Sequence, residues 1–444
     1  MQRAIVLLAM IACGDRTPRL RNHHLALAMP TSSAIATQGA TKISAASHTC
    51  AISDGRTTCW GYDHFRQLGN VARDWCNGLG CELAPCRLES PEPFDSVTTG
   101  EHTTCAIGKD GAVWCWGEGN VGQLGADPGG RRCGNELNAW PCTATPTKIA
   151  GLRDARSLAI GHHVCAALAS GEVWCWGAND SGQLGSASTE RCVPNLGQLP
   201  DQHGGKPAIR TETPALECSR VPLKVPGIGG AVQVAAGRHH TCALTASGNV
   251  LCWGDNGSGQ LGLGSVARAE APTRVRGLDG VVGIAAAMST TCAWRSDGQA
   301  LCWGANDSGQ LGAPTQETCA HGLSCSRTPR EVLTGAVSVG VGFTHSCARR
   351  RDGSVACWGL DTDEQLGSAG ADTCGSTRQP CALLPQRVRG ISRASALAVG
   401  HGFACAIVDD RIECWGRNAL GSLGDGTTRN RKQPAPVSVA RSCR

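Results

Sequence analysis

The sequence predicts an all-β chain folded as a single seven-bladed β-propeller, and three observations carry the prediction. The tripeptide Cys-Trp-Gly occurs seven times, with its Trp at 60, 116, 176, 253, 303, 358 and 415. Each occurrence closes a unit holding four short strand patterns, and glycine and proline punctuate those patterns throughout. Repetition at a fixed unit, checked before any local motif, decides the architecture here.

The unit from Trp253 to Trp303 is the shortest and serves as the bare repeat. A Pro-x-x-Val strand (Pro272 to Val275) precedes an alternating strand (Val282, Ile284, Ala286). A His-Thr-Cys-Ala-Leu strand follows, clearest at His240 to Leu244. A turn at Gly248 then leads into Val250-Leu251-Cys252-Trp253-Gly254, and a loop ends in Gly259-Gln260-Leu261-Gly262. Four short strands per unit are the mark of a propeller blade. The last unit ends with a Pro436 to Val439 strand and the first begins at Lys42-Ile43 without one. The expectation is therefore that the C-terminal strand joins blade one and closes the ring, removing two exposed edges.

These repeats resemble the regulator of chromosome condensation (RCC1) repeat, in the cysteine-bearing form common in exported bacterial proteins. The resemblance covers 41–440, with local departures at Gly421-Ser422-Leu423-Gly424 and at Thr290, which stands where other blades place His. It implies a propeller scaffold. Its nuclear namesake implies a guanine nucleotide exchange factor, and an exported β-lactamase inhibitor of this propeller type implies an enzyme inhibitor.

Composition narrows the class. Net charge is only +5 with 17% charged residues, which argues against a nucleic-acid partner. The 27 cysteines must be disulfides or metal ligands, and compartment decides between the two. Arg3, the apolar run Ala4 to Ala12 and the small residue before Cys13 read as a secretory signal over residues 1–12. The site resembles a lipoprotein cleavage site at Cys13, with Met10 where Leu is usual. Residues 13–40 read as a flexible tether and 41–444 as the propeller. Export, a lipid anchor as the sole membrane attachment, and a monomer are the expectations.

Within each repeat two cysteines stand nine or ten residues apart across a hairpin, which places them opposite one another. The expected staples are Cys50–Cys59, Cys105–Cys115, Cys165–Cys175, Cys242–Cys252, Cys292–Cys302, Cys347–Cys357 and Cys405–Cys414. Insertions after the Leu-Gly carry a second series, expected as Cys76–Cys86, Cys133–Cys142, Cys192–Cys218, Cys319–Cys325 and Cys374–Cys381. Cys81 and Cys443 are left over near the joint between first and last blades. Structural zinc favours tight Cys-x-x-Cys knuckles; none is present, so no metal and no cofactor are expected.

The recurring His48, His102, His163, His240, His345 and His401 read as architectural, because one active site does not need a copy in every blade. Gly117 to Gly122 fits Gly-x-Gly-x-x-Gly, but no helix follows to cradle a phosphate. Asp255 to Gly259 and Ala305 to Gly309 lack the terminal Glu of a calcium loop. A sialidase-like Asp-box at Ser296-Asp297-Gly298 fails on the placement of Trp303. No catalytic constellation remains, so the chain reads as a non-enzyme. Insertions that leave each repeat at one equivalent point crowd one face, where repeat proteins often bind. Trp75, Trp140 and His321 are the candidate binding residues there, with a protein or glycan as partner.

Overall fold

The Cys-Trp-Gly strand has two hydrogen-bonding edges, and the fold follows from how each is satisfied. In the blade without an insertion, Ala231–Ala236, His240–Thr245, Val250–Asp255 and Arg268–Arg274 pair antiparallel in chain order. The alternating strand lies innermost and the Pro-x-x-Val strand outermost. The computed structural model describes residues 39–70, 73–135, 138–193, 215–438 and 441–442. It contains seven such sheets, the all-β seven-bladed propeller that the repeats predict.

The frame of the repeat differs from the sequence reading by one strand. The Pro-x-x-Val strand belongs to the blade before it, because the outer edge of each Cys-Trp-Gly strand takes the next strand in the chain. Blade one therefore has its own four strands: Ala40–Ala45, His48–Ser53, Arg56–Tyr62 and Leu79–Arg87. Arg431–Pro436 completes the last blade against Arg411–Gly416 and is not donated to the first. The expected joint is made by other residues, since Arg441–Ser442 adds to the outer edge of Leu79–Arg87 in parallel. Val439 and Cys443 lie outside the described residues, as does the whole of 1–38 with Cys13.

Seven tryptophans, one per blade, are fully buried between blades. Six of the indoles donate to the Gln carbonyl of the preceding Gln-Leu-Gly loop, as in Trp116 to Gln67 (2.9 Å), Trp253 to Gln183 (2.9 Å) and Trp303 to Gln260 (2.9 Å), and Trp60 donates to the carbonyl of Ser422 at the equivalent place. The glycine closing that loop has no room for a side chain. Gly262 has φ +70°, and a Cβ there would stand 2.9 Å from the Trp303 indole nitrogen. Gln-Leu-Gly is thus the socket for the next blade's tryptophan.

The hairpin staples form as expected. Each pair faces across its ladder, Cys242 against Cys252 for example, with Cα atoms 4.1 Å apart. The same pairing holds for 50–59, 105–115, 165–175, 292–302, 347–357 and 405–414, with Cα atoms 4.0–4.1 Å apart.

Candidate functional site: the ribbon-bearing face and its axial rim

Five of the seven blades carry an insertion between the third and outer strands. The third strand runs toward one end of the propeller, so all five open on that face. Each insertion is a short strand folded onto an extended outer strand: Asp74–Cys76 on Leu79–Arg87, Arg132–Asn135 on Asn138–Lys148, Arg191–Cys192 on Leu216–Lys224, Glu317–Thr318 on Ser324–Leu333, and Asp372–Cys374 on Gln379–Arg387. Disulfides 133–142, 192–218, 319–325 and 374–381 bridge four ribbons as expected, with Cα atoms 5.7–5.9 Å apart.

The first ribbon corrects the expected pairing. Cys76 bonds Cys81, not Cys86. Asn77 and Gly78 both have positive φ and make a two-residue turn that sets Cys76 opposite Leu79 and Asp74 opposite Cys81. The tight turn brings Cys81 within reach and leaves Cys86 farther down the strand, opposite Cys59. Asn-Gly is the strongest short hairpin signal a sequence offers, and Cys76-Asn77-Gly78-Leu79 carried it. Cys86 is itself disulfide-bonded.

The three candidate binding residues separate. Trp75 is 75% exposed on the first ribbon, as an interface anchor requires. Trp140 is 9% exposed and is no such anchor. It packs on Phe65 with ring centroids 4.8 Å apart, in a cluster with Tyr62 that fills the cleft between the first two blades. His321 lies in the 3-10 turn Ala320–Gly322, and its side chain is outside the described residues. Residues 194–214, the middle of the long third insertion, lie outside them as well.

The histidines divide into two groups that the sequence reading merged. His48, His163, His240 and His345 stand two residues before the first staple cysteine and are fully buried. Three of them bond a hydroxyl of the next blade: His48 to Thr104 (2.6 Å), His163 to Thr241 (2.6 Å) and His240 to Thr291 (2.8 Å). Those hydroxyls donate to the same Gln carbonyls that the indoles use, as in Thr241 to Gln183. Burial, reinforced by neighbouring histidines, holds all four imidazoles at about 3, so they are neutral struts. The architectural reading stands for these.

It fails for His102 and His401, which stand three and four residues before their cysteines. Those two positions form the turns between the inner and second strands, and the turns ring the mouth of the axial channel on the ribbon face. Around it stand Ser47, Glu101 with His102, His162, Arg238 with His239, Met288, Phe343 and His401. Counting back from each cysteine would have revealed the shift.

The rim is a linked set of charges over a cavity of about 100 Å³ lined by Glu101, His162, Arg238, Met288 and His401 among others. Arg238 Nε donates to His162 Nε2 at 3.1 Å, and a Glu101 carboxylate oxygen lies 3.7 Å from that same nitrogen. The nitrogen accepts from Arg238 only in the tautomer that leaves it without a proton. His162 holds the Glu101 carboxyl down, at about 2, against its own burial, and the charges of His102 and His401 add to this. His102 Nδ1 is 2.9 Å from Glu118. Burial opposes protonation of His102, but Glu118 and Glu101 outweigh it, and its pKa is raised. His239, 3.6 Å from Asp180, holds that carboxyl below the usual range. Burial lowers His401. His102 also stacks on Phe65 at 4.2 Å, so rim and aromatic cleft are continuous. Among the described residues no group of three or more His, Cys, Asp or Glu is placed to hold a metal.

Seven consecutive four-stranded units, joined blade to blade through Trp and Gln-Leu-Gly, define the chain as a β-propeller of repeated blades with one elaborated face. Residues 110–168, 170–244, 247–294 and 297–349 match the regulator of chromosome condensation (RCC1) repeat, and a second form of that repeat matches 94–123, 231–260 and 336–365. The chain belongs to the RCC1 repeat family.

Relatives include the human E3 ubiquitin-protein ligase HERC2, 27% identical over 86% of this chain but only 7% of its own length. Another is the mitochondrial RCC1 domain-containing protein RUG3 of Arabidopsis thaliana, 32% identical over 49% of this chain and 42% of its own. The chain thus spans less than half the length of these relatives. The fold matches Prp20p of Saccharomyces cerevisiae, whose structure was described with its binding properties to Gsp1p and histones: TM-score 0.65, 22% identity, 86% of this chain and 85% of that one. It also matches human WBSCR16, with TM-score 0.66, 21% identity, and 86% and 94% covered.

Proposed function

We propose that this protein is an exported, non-catalytic recognition module that binds a protein or glycan with its ribbon-bearing face. The observation that carries the reading is convergence. Five disulfide-bridged ribbons and the rim turns open on one face, and these are the positions where the blades differ from one another. Everything that repeats, from the Trp sockets to the neutral histidine struts, builds the ring. A face held by covalent bridges keeps its shape before a partner arrives, which reduces the ordering cost of binding. Prp20p, with its binding properties to Gsp1p and histones, is a relative in fold that engages protein partners, which favours a protein here.

Disulfides on this scale favour an oxidising compartment and disfavour an exchange factor working in reduced cytosol. Export with a lipid at Cys13 remains part of the proposal. Affinity capture from intact cells and culture medium tests the reading, comparing the parent chain with Trp75→Ala and with Glu101→Gln/Arg238→Gln. A partner captured by the parent and lost in both variants, all equally folded, is the expected result. Equal capture by all three would end the assignment to this face.

A further inference from the structure

The end of the propeller opposite the ribbons carries a concentration of arginine that the ribbon face does not use. In blade six the second strand, His345–Arg350, runs away from the ribbon face and delivers Arg349, Arg350 and Arg351 to that far end. The outer strand Gln379–Arg387 runs the same way and adds Arg387, followed by Arg389. Arg393 stands in the loop leading to blade seven. The turn of residues 351–353 abuts that loop, with Ala394 N–H donating to the Gly353 carbonyl at 2.9 Å. The six arginines therefore share one end of one blade.

Asp352 is the single carboxylate that blade six itself sets among them, with Asp409 and Asp410 of the next blade at the edge, and Arg387 and Arg350 hold the Asp352 pKa down after the Ser354 hydrogen bonds. Arg351, Arg387, Arg389 and Arg393 are exposed. Among the described residues only Arg393 of the six reaches a carboxylate, Asp409 of the next blade at 2.6 Å. The Nε atoms of Arg349 and Arg350 are buried without a hydrogen-bond partner. The ribbon end of the same blade has the opposite sign, with Asp361, Asp363, Glu364 and Asp372 against Arg378. Blade six is electrically polarised along the propeller axis.

The chain enters the propeller beside this patch. The first described strand starts at Ala40 on the same end, and Ala40 N–H donates to the carbonyl of Asp410 at 3.3 Å. Asp410 neighbours Asp409, the partner of Arg393. The described chain therefore begins at the arginine end, on the far side from the ribbons.

We infer that the arginine end of blade six rests on an anionic lipid surface, so that the ribbon-bearing face points away from the membrane toward its partner. The inference rests on the export and lipid-anchor reading above and adds to the acyl chain a second, electrostatic contact. One acyl chain alone gives marginal attachment, and a basic surface beside it is the usual second signal. Guanidinium groups near anionic lipid strengthen binding by roughly fivefold each, and the attraction fades within a Debye length of salt.

The full-length Cys13→Ala chain, which has no cysteine to acylate at that site, is sedimented with vesicles of pure phosphatidylcholine or of phosphatidylcholine with phosphatidylglycerol. Binding to the anionic vesicles alone, abolished at high salt, is expected. Arg351→Gln/Arg387→Gln/Arg389→Gln should reduce it by roughly 100-fold at unchanged melting temperature. The control Arg191→Gln/Arg220→Gln/Arg268→Gln, on the ribbon face, should leave it intact. Three outcomes overturn the inference: no preference for anionic vesicles, equal loss in the control, or equally tight binding to soluble polyglutamate. Partner capture by the ribbon face is read separately, so either proposal can fail without the other.

Discussion

The indole Nε1 of Trp60 donates to the carbonyl oxygen of Ser422 at 3.0 Å, joining the first blade to the last across nearly the whole chain. The hydroxyl of Thr49 reaches the same oxygen at 3.2 Å. The indole bond is the joint found between every other pair of blades, with Ser422 standing where they have Gln. A backbone carbonyl is the acceptor, so the replaced side chain costs the joint nothing. The seam of the ring is therefore built like its other interfaces, and the short Arg441–Ser442 strand is added outside it, on the outer edge of blade one.

Replacing Trp60 by Phe removes the donor and keeps most of the packing. The buried Ser422 carbonyl retains Thr49, so a loss of about 1 kcal/mol is expected. Trp60→Ala, which opens a cavity as well, should cost about 3–5 kcal/mol. Urea unfolding under non-reducing conditions measures both.

Acid should destabilise the ring. His48, His163, His240 and His345 titrate at about 3 when folded and near the ordinary 6.5 when unfolded. Between those values the unfolded chain binds more protons, so stability is full above about pH 6.5 and falls as pH drops toward 3. Each group contributes at most about 1.4 kcal/mol per pH unit. His102, whose pKa is raised, works in the opposite sense, but it is one group against four. Unfolding midpoints at pH 7.5, 5.5 and 4.5 should decline in order, and His48→Gln should flatten the slope.

The two ribbon tryptophans should part company on mutation. Trp140→Ala removes a buried ring from the cleft between the first two blades, and a loss of about 3 kcal/mol is expected. Trp75→Ala should leave the melting temperature within about 1 °C, since exposed substitutions usually change stability by under 0.5 kcal/mol. Thermal melts of the two variants side by side check this.

Cys86 is bonded, and the twelve described bridges account for every cysteine except Cys13, Cys86 and Cys443. Arg441 pairs with Cys86 in the parallel edge ladder, and Cys443 is two residues further along the chain. Non-reducing peptide mapping should find Cys86 joined to Cys443, fastening the C-terminal strand to blade one. A Cys86–Cys13 peptide would contradict that.

The sequence by itself determined the blade count, the succession of strands along the chain, the seven hairpin staples and the face on which the insertions gather. All of these follow from local spacing: a period set by Cys-Trp-Gly, alternation within strands, and cysteines opposed across a short turn. Only the tertiary structure decided to which blade each Pro-x-x-Val strand belongs, because a strand's partner edge is a long-range choice that spacing leaves open. It also separated histidine struts from histidines of the rim. One residue of register moves a side chain from the space between blades to the mouth of the channel, and that difference vanishes when the repeats are aligned by type alone. Trp75 and Trp140 are alike as letters in two insertions. What surrounds each ring, water for one and Phe65 for the other, came from packing between blades.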